Sequence, residues 1–237
     1  MSLDFLTPDA VGEAVAARSP MERPARAAGA QLQRRHGWNV AIAYGDSARE
    51  QMLLAERVAF ADRSHLIKLE VQAEPGALAE IVARASGWAE ALIPGRAAYA
   101  GGAWWCPVTP ARVLVLGEGE NGEQFRGAVA DASARAPGTV TVTDLTCGFA
   151  ALALAGPGAN ELLARFCAID VRPAVMPLGA FRPGSVARTP GYVLRESSDR
   201  LLVLVGWALG EYLWSVVADA AEHLGGGPVG VDALLAP

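Results

Sequence analysis

The chain contains part of itself twice, and this repetition constrains its architecture more than any other feature. The stretch from Arg112 to Ala132 reappears between Arg200 and Ala220 without a gap, displaced by 88 residues, from 112 to 200. Arg112/Arg200, Leu114/Leu202, Val115/Val203, Leu116/Leu204, Gly122/Gly210 and Glu123/Glu211 coincide, as do Val129/Val217, Ala130/Ala218, Asp131/Asp219 and Ala132/Ala220. Upstream, Asp62-Arg-Ser64 and Asp144-Leu-Thr146 each stand 13 residues before a Pro-Gly-Ala, at 75–77 and 157–159. Repeats that stack into solenoids run to roughly 50 residues, so a period near 85 reads as a duplicated small domain.

The 237 residues suffice for one large domain or two small ones, and 52% hydrophobic residues supply ample core. A formal charge of −5 argues against a nucleic-acid partner, because no net basic field gathers phosphates. The three cysteines (Cys106, Cys147, Cys167) fit no metal-ligand spacing and cannot all pair, which predicts a reduced, cytoplasmic protein without metal. The first residues have acids where a signal peptide needs bases, and the longest apolar runs, such as Phe149 to Ala155, are strand-length. A soluble protein with no membrane contact is the expectation.

Three spans follow: an N-terminal segment over 1–46, a first α+β module over 47–145 and a second over 146–237. In the first, Ile67, Leu69 and Val71 alternate with Lys68 and Glu70, as in a half-buried strand. Pro75-Gly76 opens a helix, and a strand near 97–105 is broken by Pro107 and Pro110. A strand at 112–116, a helix over 121–135 and a β-branched strand at 139–144 complete a β-α-β-β-α-β order, which is ferredoxin-like. In the second, strand 149–155 and a helix after Pro157-Gly158 lead to a β-pair of 186–195 with 201–205, turning at Ser197-Ser198-Asp199. A helix over 210–224 is stopped by Gly225-Gly-Gly-Pro, and 229–231 reads as a last short strand. Ahead of the modules, an Ala/Arg-rich segment over 11–30 precedes a helix over 47–59, and the first ten residues carry no pattern.

Little of this chain advertises chemistry directly. His36, His65 and His223 share no metal-like spacing with a Cys or a carboxylate, and read as structural or surface residues. Ser64-His65 lacks the context of a hydrolase elbow, and Gly225-Gly-Gly follows a helix rather than opening one. Asp131 and Asp219, matched across the repeat, read as structural. Trp104, Trp105, Trp207 and Trp214 read as core, with an interface or ligand platform as the other reading.

The segment from Ala59 to Val71, with Asp62, Ser64, His65 and Lys68 in place, resembles the folate-binding aminomethyltransferase (glycine-cleavage T-protein) superfamily. Leu66 and Ile67 stand where that motif has Met and Gly. Ser19 to Arg23, Gly37-Trp38, Tyr44, Ala155-Gly-Pro-Gly-Ala159, Leu213-Trp214 and Pro228 to Ala233 extend the resemblance over about residues 19–235. It implies an α+β fold of internally duplicated ferredoxin-like (βαββαβ) modules, and a folate held by Leu66, Tyr99, Tyr192 and Glu196.

The departures shape the functional expectation. The family's transferases carry a catalytic carboxylate in the strand pair that here spans Tyr99 to Ala111, and no Asp or Glu stands there, so no catalytic residue is assigned. Gly191-Tyr192 matches the family's pterin-holding Gly-Tyr, after which the Glu position falls on Arg195 without a gap or on Glu196 with a one-residue slip. The chain also stops where the family's third domain would begin, and Leu163 to Asp170 with Pro177 and Gly179 looks most like the gamma subunit of heterotetrameric sarcosine oxidase. The resemblance therefore implies an accessory subunit in tetrahydrofolate-linked one-carbon metabolism, partnered by a larger flavoprotein subunit or by itself, with folate bound weakly or not at all by the isolated chain. The alternative is a free-standing tetrahydrofolate-dependent aminomethyl or methyl transferase. The iron–sulfur-maintenance branch of the superfamily needs a Lys-Gly-Cys-Tyr motif that is absent. Apolar surface for the partner is expected around Trp104, Trp105 and residues 229–237.

Overall fold

The computed structural model describes residues 15–236; the patternless first ten residues lie outside it. A short helix α1 (Glu22–Ala27) leads into a hairpin of β1 (Gln31–Arg35) and β2 (Trp38–Ala43). Sequence periodicity misses this hairpin because β1 buries neither face fully. Its turn is nevertheless encoded: His36 and Gly37 both take positive φ (48° and 79°), the backbone that closes a two-residue hairpin. Helix α2 (Ser47–Glu56) follows, its first turn capped by Asp46, whose carboxylate accepts the Ala48 N–H at 2.9 Å. It ends three residues before the expected 59, because Ala59–Asp62 forms a wholly buried strand, β3.

The chain then runs β4 (Ile67–Gln72), α3 (Pro75–Ser86), β5 (Ala98–Ala100), β6 (Ala103–Thr109), β7 (Arg112–Gly117), α4 (Gly122–Ala134) and β8 (Thr141–Asp144). Strand β6 continues through Pro107, where a break was expected, and a bulge after it absorbs the missing N–H. The second half runs β9 (Phe149–Ala155), α5 (Ala159–Ala164), β10 (Phe181–Val186), β11 (Thr189–Arg195), β12 (Arg200–Gly206), α6 (Gly210–Glu222), β13 (Gly227–Pro228) and α7 (Val231–Leu235). The expected single strand over 186–195 is a hairpin, turned at Ala187-Arg188 by two more positive φ values (48° and 62°). The expected last strand at 229–231 gives way to α7, with β13 just before it.

Two sheets stack face to face. One has the order β5-β6-β7-β4-β8, the other β10-β11-β12-β9-β3-β13, and every neighbouring pair is antiparallel except β13 with β3. In the first, β4, β6, β7 and β8 stand in the order of an antiparallel βαββαβ sheet, and β12 holds between β11 and β9 the place that β7 holds between β6 and β4. Both faces of the central strands are buried. Leu114 and Leu116 point to the opposite sheet and meet Ala151, Ala153, Leu202 and Leu204. Val113 and Val115 point the other way, onto Leu78, Ile81 and Val129 of α3 and α4. On the far side Leu152, Val203 and Val205 pack against Leu162, Leu213 and Val217 of α5 and α6. The layers are helices, sheet, sheet, helices.

The halves are interlocked. At a displacement of 82, from 59 to 141, β3 and β4 correspond to β8 and β9, yet β3 pairs with β9 in the second sheet, while β8 pairs with β4 in the first. Each crossing is held by one of the two Asp-x-Ser/Thr trios. Asp62 accepts the Ser64 N–H at 2.9 Å, and Asp144 accepts that of Thr146 at 2.8 Å. Arg63 N–H then donates to Ala151 O, and Leu145 N–H to Lys68 O, both at 2.8 Å. Between the crossings lies Lys68, fully buried, donating to the carbonyls of Ser64 (2.8 Å), Leu66 (2.9 Å) and Thr146 (3.1 Å). The strongest elements of the Asp-x-Ser-His-x-x-Lys motif thus tie the two sheets together.

Candidate functional site

A cavity of about 380 Å³ opens where the first crossing meets the ends of the strands. Leu66 enters it from the turn after β3, and Leu116 from the end of β7. The β5–β6 hairpin contributes Tyr99 and Trp104, cross-strand partners whose rings meet edge to face at 5.2 Å. Gly101 and Gly102, both with positive φ, make that turn, and a side chain at 101 would press on the Ser86 backbone at 3.0 Å. Glu196 and Arg200 approach from either end of the Ser197–Asp199 turn, and Leu235 of α7 lies at the rim.

The charged groups of this cavity stand in two pairs. Arg63, 1% exposed, forms an ion pair with Glu118, whose side chain is 40% exposed. Glu196 is nearly enclosed, and burial raises its carboxyl above the ordinary range, with Arg63 and Arg200 opposing. Arg200 Nε lies 3.1 Å from Glu196 Oε2, yet the approach is too oblique for a hydrogen bond and leaves both atoms unmatched.

Three of the four residues singled out in the sequence, Leu66, Tyr99 and Glu196, come together here. Tyr192 does not line the cavity; its ring stacks on Phe181 at 5.0 Å and meets the edge of Phe149 at 5.9 Å. Of Arg195 and Glu196, the alternation along the strand brings only Glu196 to the cavity. Arg195 turns away from the cavity and donates to Met176 O (2.6 Å), Asn160 Oδ1 (2.8 Å), Ser198 O (3.2 Å) and Val171 O. Sequence reasoning passed over Arg63, Glu118 and Arg200 as site residues, and gave Trp104 only a second reading as an interface or ligand platform. For Arg200 a signal existed: its repeat partner Arg112 likewise stands beside a carboxylate, 3.7 Å from Glu70, as Arg200 stands beside Glu196.

The expected apolar surface needs correction. Trp105 is fully buried on the helix side of the first sheet, edge-on to Phe125, with its indole N–H donating to Ala100 O at 3.1 Å. Val229, Val231 and Leu234 are buried too. Alternation along β6 sends only Trp104 to the cavity side, and the exposed apolar residues beside it are Tyr99 (59%), Ile93 (50%) and Leu178 (66%). Ile93 and Leu178 line a second hollow of about 340 Å³ that shares the Tyr99–Trp104 wall. Among the described residues no three His, Cys, Asp or Glu side chains gather as metal ligands, and no helix is long and apolar enough to cross a membrane.

No family model matches the sequence, and no curated protein matches it. Solved structures do match in shape. The glycine-cleavage aminomethyltransferase T from Bartonella henselae superposes with a TM-score of 0.75 over 92% of this chain, at 16% identity. This chain spans 60% of that protein's length. A chain of the heterotetrameric sarcosine oxidase from Corynebacterium sp. U-96, solved with pyrrole 2-carboxylate, matches with a TM-score of 0.64 and 21% identity, over 75% of this chain and 92% of that one. With its stacked antiparallel sheets and outer helices, the chain has the folate-binding aminomethyltransferase fold.

Proposed function

We propose that the chain is an accessory, gamma-like subunit of a folate-linked complex that oxidises or demethylates sarcosine or a related methylamine. One observation carries this reading: each carboxylate in the cavity stands against an arginine, Glu118 ion-paired with Arg63 and Glu196 beside Arg200. Aminomethyl transfer needs a group free to orient or deprotonate an amine, and here each carboxylate faces a guanidinium that an incoming amine would have to displace. What remains is a slot walled by Leu66, Leu116, Tyr99 and Trp104, with enclosed Glu196 to accept from the N–H edge of a flat heterocycle such as a pterin. The rim is open at Tyr99 and Leu235 (45% exposed), so a pterin in the isolated chain stays partly wet. The exposed Tyr99, Ile93 and Leu178 beside the mouth suit a larger flavoprotein partner or a second copy.

Calorimetry of the purified chain with tetrahydrofolate tests this. A dissociation constant weaker than about 100 μM is expected, and Glu196→Gln should weaken it further. Micromolar or tighter binding would overturn the accessory reading in favour of a free-standing tetrahydrofolate-dependent transferase. For that alternative, Glu118, the more exposed of the two carboxylates, would have to be released from Arg63. Light scattering addresses the partner separately: self-association of the chain alone is expected, and a monodisperse monomer at high concentration would count against it.

A further inference from the structure

A third cavity, of about 290 Å³, lies between the β1–β2 turn, the loop carrying His65 and the start of α4. It is separate from the folate-type cavity, and nothing said of it depends on that proposal. Among the described residues every ionisable side chain that lines it is a base: His36, His65 and Arg126. Thr146 adds a hydroxyl, and Gly119 and Gly122 bring the opening turn of α4 to its wall. Among the described residues no side chain caps that turn, although the Gly122 N–H already donates to Gly119 O. Of the carboxylates nearby, Asp144 pairs with Arg126, Glu118 with Arg63 and Asp232 with Arg35, while Glu120 stands exposed on the turn itself.

His65 is the telling group. Only a minor part of its surface meets solvent, and its ring has no hydrogen-bond partner among the described residues. Enclosure, followed by the positive charges of Arg63 and Lys68, pushes it down to about 3, so it stands neutral with one N–H to offer. The repeat supplies an internal comparison. At the displacement of 88, Gly119 and Arg126 correspond to Trp207 and Trp214. There Trp207 packs on Trp38 at 5.9 Å, Trp214 on Phe60 at 5.0 Å, and Pro20 closes over Gly210. The second half fills this place with apolar side chains, whereas the first half leaves it hollow and lines it with donors.

We infer that the hollow between His36, His65, Arg126 and the start of α4 binds a tetrahedral oxyanion, as inorganic phosphate or as the phosphate of a small phosphorylated metabolite. A helix N-terminus with a guanidinium and two imidazoles is suited to such a dianion. The test follows the imidazole signals by NMR as inorganic phosphate, sulfate or phenyl phosphate is added through the millimolar range at constant ionic strength. The chain has three histidines, and His223, on the far side of the repeat in the C-cap of α6, serves as the internal control. Saturable movement of His36 and His65, with His223 still, is the expected result. Equal response to phosphate and phenyl phosphate would assign the oxyanion alone, and tighter binding of phenyl phosphate a phosphorylated metabolite. Arg126→Gln should weaken binding about tenfold or more. His36→Asn, on an exposed turn where asparagine tolerates the positive φ, should weaken it several-fold without disturbing the fold. No saturable shift, or three histidines moving together, would overturn the assignment.

Discussion

Replacing Lys68 by methionine is expected to cost about 3–5 kcal/mol of folding stability, read from the midpoint of urea unfolding. Three buried carbonyls, those of Ser64, Leu66 and Thr146, lose their only side-chain donor, and each orphaned group costs about 1–3 kcal/mol before relaxation. The same residue sets a pH dependence. Burial pushes the ammonium down to about 7 from 10.5, with Asp62 the strongest opposing charge. Between those values the unfolded chain binds the proton that the folded chain has released, so stability should climb with pH across that window. The three carbonyls, which match the three ammonium hydrogens, pull the other way and narrow it. Lys68→Met should flatten the climb. An unchanged midpoint in the variant would show that the crossing is not held this way.

Arg195→Leu is expected to be nearly as damaging, at about 3–4 kcal/mol, with a distinct signature. The guanidinium is buried and holds the carbonyls of Val171, Met176 and Ser198 together with the Asn160 side chain. The segment between α5 and β10 has little regular structure of its own, so this clamp fixes its path. Limited proteolysis should therefore open the variant between residues 165 and 180 before global unfolding. Cleavage no faster than in the wild type would reassign the anchoring of that segment.

How much of this was legible in the sequence depended on whether the information was local. The displacement of 88 gave β7 and β12 equivalent places, and helical spacing gave α3 and α6 nearly to the residue. Layering was harder, because Val113 to Leu116 is buried on both faces and shows no alternation to say which side faces what. The expected helix runs to Ala59, and no strand was legible over Ala59–Asp62, since nothing local reveals that its partner is β9, some 90 residues on. The cavity followed the same rule. Tyr99 and Leu66 could be named from a motif, but Glu118 and Arg63 meet only through the fold. Counting along a strand could not choose between Arg195 and Glu196, because adjacent residues point to opposite faces and only the pairing fixes which face is which.

The reciprocal lending of β3 and β8 carries a historical consequence. A polypeptide holding one copy of this motif would have a strand to give away and an open sheet edge waiting for the same strand. It could satisfy both needs only by embracing a twin, in a symmetric dimer with exchanged strands. Joining two such genes end to end would keep every contact and convert a concentration-dependent encounter into an intramolecular one. Once tethered, the copies would be released from the demand of identity. One could fill its helix-start hollow with tryptophan while the other kept it open and polar, a divergence no homodimer can reach because both its sites mutate together.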